Sequence, residues 1–253
     1  MWWLLLIASF ELRWYFALIG DDYSAWNKLG WALVPLAYIW WAANWSRPTP
    51  WPMTRFLDAY RKQAALPVAA LLGLWLFVTN FISSGAAQPL PYVPVLNPLE
   101  LTQIAGLLVI VQWLKMHSTL KETSFEQRIG ILVYSLVCLT AGVFRAVHHW
   151  AGVPWKFDAL LNSLLLQGSL SVVWSLVAGA IMLVANRRGK RGLWMVGAGL
   201  IAVVVAKLFL VELLHAGTVE RIVSFIVVGI LLLVLGYFAP VPPKKHQKKA
   251  AII

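Results

Sequence analysis

The sequence predicts an all-α protein, a polytopic bundle of about eight transmembrane helices with both termini in the cytoplasm. Three observations carry that prediction. Hydrophobic residues fill 60% of the 253 positions and charged residues only 12%, with a mean hydropathy of +0.75, all outside the range of a soluble domain. Apolar runs of about 17–25 residues, enough to cross ~30 Å of hydrocarbon, recur along the chain. All but six of the 21 Lys and Arg fall in four polar stretches between or after those runs, at 46–63, 115–128, 187–191 and 244–249.

The spans are expected at 2–19, 29–45, 64–86, 99–116, 129–150, 168–186, 192–215 and 220–238, one domain over 1–242 followed by a basic tail at 243–253. The first starts abruptly. Only ten residues precede Glu11, about half a span, so the chain is read as opening on a short helix or as the later piece of a longer protein. Its start, MWWLLLIASFELRWYF, lacks the basic region and small-residue site of a cleaved signal. Arg47, Arg55, Arg61 and Lys62 join spans two and three, and Lys115, Lys121 and Arg128 join four and five. Arg187, Arg188, Lys190 and Arg191 join six and seven. Every basic loop then lies on one side, which the positive-inside rule makes the cytoplasm. The +11 net charge is thereby a matter of topology, and no nucleic-acid partner is expected.

The opposite loops differ in kind. Residues 87–98, AQPLPYVPVLNP, hold too many prolines for a helix and read as an extended linker. Residues 153–167 read as an outer interfacial helix that starts near Pro154 and runs into span six, with Asp158, Asn162 and Ser169 on one face. The 15 tryptophans divide between the two membrane surfaces as an aromatic belt, and Trp150 with Trp155 forms a secondary sugar-stacking candidate. Asp21 and Asp22 sit in a Gly-Asp-Asp turn. Cys138 lies inside a span and excludes an internal disulfide.

Ionisable groups within spans are costly and need an interior or a wet cavity. Glu11 and Arg13 lie in span one, Arg145, His148 and His149 in span five, and Lys207 and Glu212 in span seven; Arg221 opens span eight. The topology sets Arg145, His148, His149, Asp158, Lys207, Glu212 and Arg221 at one outer level, which predicts a polar cavity open to the outside. Arg145, Lys207 and Arg221 would clamp an anionic lipid-linked or saccharide ligand. Asp158 or His149 would be the base if the chain is an envelope transferase. Two other readings stand beside this one. Lys207 and Glu212 could form the coupling pair of a transporter, or the charges could pair structurally in a non-catalytic scaffold subunit. His148 or His149 with His215 is too weak a haem or zinc pattern, so no cofactor or metal is expected. Membrane lipids and further membrane subunits are the expected partners.

The stretch HHWAGVPWKFDALLNSLLLQGSLSVVW and, after it, AKLFLVEL, GTVERIVSF and GILLLVLGY resemble the end of a bacterial family of predicted membrane proteins, domain of unknown function 2339. The resemblance is close over 125–242 and loose before residue 120. It implies a helical fold in the inner membrane and an acidic residue at Glu212, with Lys207 and Arg221 fitting the family pattern. Members are longer, so it also implies that this chain is a final portion. It implies no reaction.

Overall fold

The computed structural model describes residues 1–18, 24–44, 54–117 and 125–212, with scattered positions between 222 and 236. These residues are almost wholly helical, and no β-strand occurs among them. Five helices are long and apolar enough to cross a membrane: Ala59–Ile82, Pro98–Met116, Ile129–Ala151, Leu164–Arg187 and Arg191–Leu210. They match the expected spans three to seven. The stretches expected as spans one and two form helices, α1 (Trp2–Ala17) and α2 (Ala25–Asn44), which are not among those five. At 1.5 Å per residue α1 is about 24 Å long, short of a full hydrocarbon core. Span eight falls mostly outside the described residues, as does the tail.

The chain divides into two compact units, Met1–Trp155 and Lys156–Ile253. In the first, α2 lies against α1, α3 (Ala65–Ile82) and α4 (Pro98–His117). Its sequence explains the central place. Ala25, Leu29, Ala32, Ile39 and Ala43 recur at steps of three, four or seven residues and are all buried. The small side chains let neighbours come close: a Cβ on Gly30 would stand 2.5 Å from the Arg13 Cα of α1.

Two patches of core hold the helices. Ile39, Ala42, Ala43, Ala65, Val68, Ala69, Val109 and Trp113 pack at one end. There Arg61 Nε donates to Ala42 O at 2.9 Å, and Trp113 Nε1 to Arg61 O at 2.9 Å, so a turn of π-helix at Ala59–Gln63 is tied to both α2 and α4. Ala25, Leu29, Ala87 and Leu99 pack at the other end. Residues 83–97 between α3 and α4 are non-helical, in line with their prolines. Helix α5 (Phe125–Ala151) lies against α3 and α4.

The second unit is built on a hairpin of α7 (Leu164–Arg187) and α8 (Arg191–Lys207), the latter running on as a π-helical turn at Leu208–Glu212. Gly189, at φ 60°, makes the tight connection. Gly197 lets the two helices touch, since a Cβ there would meet Ala178 O at 2.9 Å and Met182 Cγ at 2.6 Å.

The continuous helix expected over 153–167 is broken. α6 is a five-residue piece, Phe157–Leu161, closed at Asn162. Ser163, with extended backbone at ψ 116°, caps α7 by accepting a hydrogen bond from the Leu166 N–H. A serine that satisfies a free helical N–H starts a helix rather than continuing one. Asp158 and Asn162 therefore do not share a continuous helical face with Ser169.

Candidate functional site

The first unit's most concentrated polar chemistry lies where α3 ends and α4 begins. The final carbonyls of a helix lack intrahelical partners and carry partial negative charge; the first N–H groups of the next helix carry the opposite sign. Sequence prepares both ends. Ser83 ends α3 with extended backbone at ψ 122°. Asn97, Pro98 and Glu100 open α4: Asn97 Oδ1 accepts from the Leu99 N–H at 2.9 Å, proline fills the first helical position, and Glu100 puts its charge in the first turn. The Asn97 amide also donates to Gly85 O at 2.7 Å, tying the linker back to its start.

Arg145 of α5 closes this junction. Its side chain has no exposed surface. Nε donates to Ser83 O and Nη2 to Thr79 O, both at 3.1 Å, so the guanidinium caps the carbonyl end of α3. Nη1 donates to Glu100 Oε1 and to Gln103 Oε1, each at 3.4 Å. The carboxylate is equally well held: Tyr92 donates to Oε1 at 2.7 Å and the Val95 N–H to Oε2 at 2.6 Å. Burial, and then the bond to this carboxylate, push the Tyr92 phenol well above its ordinary range. Gln103 carries the network onward, its Nε2 donating to Thr79 Oγ1 at 3.0 Å and Asn80 Oδ1 at 3.2 Å.

Gly85 is required at this point. Its φ is +77°, and an added Cβ would stand 3.1 Å from Arg145 Cδ and 3.3 Å from the Tyr92 ring. Two histidines finish the same end of α5. The His149 ring lies parallel to Tyr92 with centroids 4.5 Å apart, and its Nε2 faces Ser84 O at 2.9 Å. His148 Nδ1 faces Val153 O at 2.6 Å. A carbonyl only accepts, so these nitrogens are the protonated ones. Both rings are thus oriented by backbone.

In the second unit, Lys207 Nζ donates to Gln167 O at 2.7 Å and to Ser171 Oγ at 2.8 Å across the α7–α8 hairpin. Glu212, the partner expected from sequence, has its backbone in the π-helical turn, while its side chain lies outside the described residues. Asp158 is exposed on α6. Arg221 lies outside the described residues. Six of the seven expected site residues thus divide: Arg145, His148 and His149 come together in the first unit, and Asp158, Lys207 and Glu212 belong to the second. Among the described residues no group of three His, Cys, Asp or Glu is placed to hold a metal ion.

Glu100, Gln103, Tyr92, Thr79 and Asn80 were missed by sequence reasoning. One signal for Glu100 was there: Asn-Pro-x-Glu is a helix-start pattern, and it puts a carboxylate at the mouth of a span. Nothing local to Tyr92, Thr79 or Asn80 marks them.

A family model described as predicted membrane protein (DUF2339) matches residues 1–242, so the match takes in the first 120 residues as well as the stretch after 125. Comparison with curated proteins and with solved structures gave no match.

Proposed function

This chain belongs to the DUF2339 family of predicted membrane proteins, and we propose that it serves as a non-catalytic structural module of the cell envelope. In this reading it sits in the inner membrane with both termini in the cytoplasm, as its basic loops support. One observation carries the structural role: Arg145 is wholly buried, and its donors are committed to Ser83, Thr79, Glu100 and Gln103. A cation that is to hold an anionic lipid or saccharide must present N–H groups to it. Arg145 spends them on the end of α3 and the start of α4. This use of its donors favours the scaffold over a ligand cavity clamped by Arg145 or a transferase built on Asp158 or His149.

The exposed side of the fold supports the same role. Leu66, Leu71, Leu74, Phe77 and Phe81 on α3, with Leu101, Ile104 and Leu108 on α4, present large apolar side chains outward, as helices packing against lipid or other subunits do.

The test replaces both charges at once. Arg145→Met combined with Glu100→Met removes the pair without leaving either charge orphaned. Cells carrying this double variant are expected to keep normal envelope integrity at normal protein levels. Loss of integrity with a normally folded, normally expressed double variant would mean that the charges act on a ligand.

A further inference from the structure

Helix α1 presents two unlike sides. Ser9 is buried, and Arg13 faces α2, where its Nε donates to Asn27 Oδ1 at 2.7 Å and its guanidinium lies 5.6 Å from the Trp31 ring centroid. Glu11 is two residues away, about 200° around the helix, and it points outward. Leu4, Ile7, Trp14 and Leu18 share its side, each more than half exposed. The positions 4, 7, 11, 14 and 18 step by three and four, the spacing of a seam that meets a partner helix by knobs-into-holes packing.

Glu11 lies about 14 Å from the start of the helix, with apolar residues before and after it. A carboxylate facing acyl chains at that depth costs several kcal/mol, which a partner charge offsets. Charge complementarity therefore specifies the occupant as a helix with a cation at matching depth. A second copy of this chain is a poor source. Among the described residues, the helix cations Arg13, Arg145 and Lys207 are already held by Asn27, by Glu100 and Gln103, and by Gln167 and Ser171. A parallel self-pair would also set Glu11 against Glu11.

We infer that the outer stripe of α1, Leu4–Ile7–Glu11–Trp14–Leu18, is a seam for a transmembrane helix of another protein that presents a lysine or arginine to the Glu11 carboxylate. The inference deepens the scaffold reading and rests on it for the sense of the assembly; its evidence, however, is confined to α1. A single polar residue at one seam position fixes register between helices, so Glu11 selects which helix binds and at what height.

The experiment places the photo-crosslinker p-benzoylphenylalanine at Ile7 or Trp14 in the full chain, in native membranes, and identifies the adducts by mass spectrometry. The expected adduct is one membrane protein, joined through a span that contains Lys or Arg. Its yield should fall about tenfold or more with Glu11→Leu, as for a desolvated ion pair that loses one member, and persist with Glu11→Asp. Glu11→Lys should regain it when the partner's basic residue is changed to Glu. Adducts with lipid alone, with a second copy of this chain, or with a span lacking a cation would overturn the inference. So would a yield indifferent to Glu11→Leu. Glu11→Leu is expected to melt at the wild-type temperature; if it does not, Glu11→Gln replaces it in the same assay. Failure here leaves the Arg145–Glu100 double variant to judge the scaffold reading, and failure there leaves these adducts unchanged.

Discussion

A buried guanidinium must find its hydrogen bonds within the protein, and Arg145 finds them at the end of another helix. Desolvating it and Glu100 costs several kcal/mol per ion, offset by mutual attraction, the helix-end dipoles and bonds to neutral groups. Gly85 is part of that fit because its backbone is left-handed where the Arg145 stem passes. Gly85→Ala is expected to cost about 1–3 kcal/mol through the unfavourable φ and crowding, read as a lowered thermal midpoint of the purified protein. Arg145 stood out in the sequence as an intramembrane cation. Its partner did not, because Glu100 lies 45 positions earlier and only the fold joins them. Lys207 shows the same limit: its partners Gln167 and Ser171 lie on the preceding helix of the hairpin.

At the scale of elements, local chemistry fixes where helices start and stop. Asn97→Ala removes the cap of α4 and the bond to Gly85 O, and is expected to destabilise the protein by about 1 kcal/mol or more. The α7–α8 hairpin offers a paired test. Gly197→Ala drives a Cβ into Ala178 and Met182 and should destabilise by about 1–3 kcal/mol; Gly199→Ala meets open space and should be neutral or mildly stabilising. Equal effects at the two positions would contradict the close approach at Gly197. Apolar run length made most helices legible. It concealed the break after α6, where Ser163, inside a stretch read as one helix, caps the next helix instead.

For the whole molecule, the clustering of cations predicts sidedness. In a Cys138→Ala background, a cysteine at Gln88 should react with a membrane-impermeant maleimide from the outer side, and one at Lys190 only from the inner side. Both positions are exposed, so reactivity reports topology rather than burial. The reverse pattern would invert the orientation. Sequence pattern made the membrane class legible because hydropathy and charge are summed over long stretches. The junction of α3, α4 and α5 was not, since it depends on which span ends meet.

The central claim, that Arg145 and Glu100 form a structural clasp, is tested most directly by a double-mutant cycle of unfolding in a lipid nanodisc. Arg145→Met and Glu100→Met should each cost about 3–5 kcal/mol by orphaning a buried charge, and the double variant should recover most of that loss. Single variants as stable as the wild type, or losses that simply add in the double variant, would contradict it.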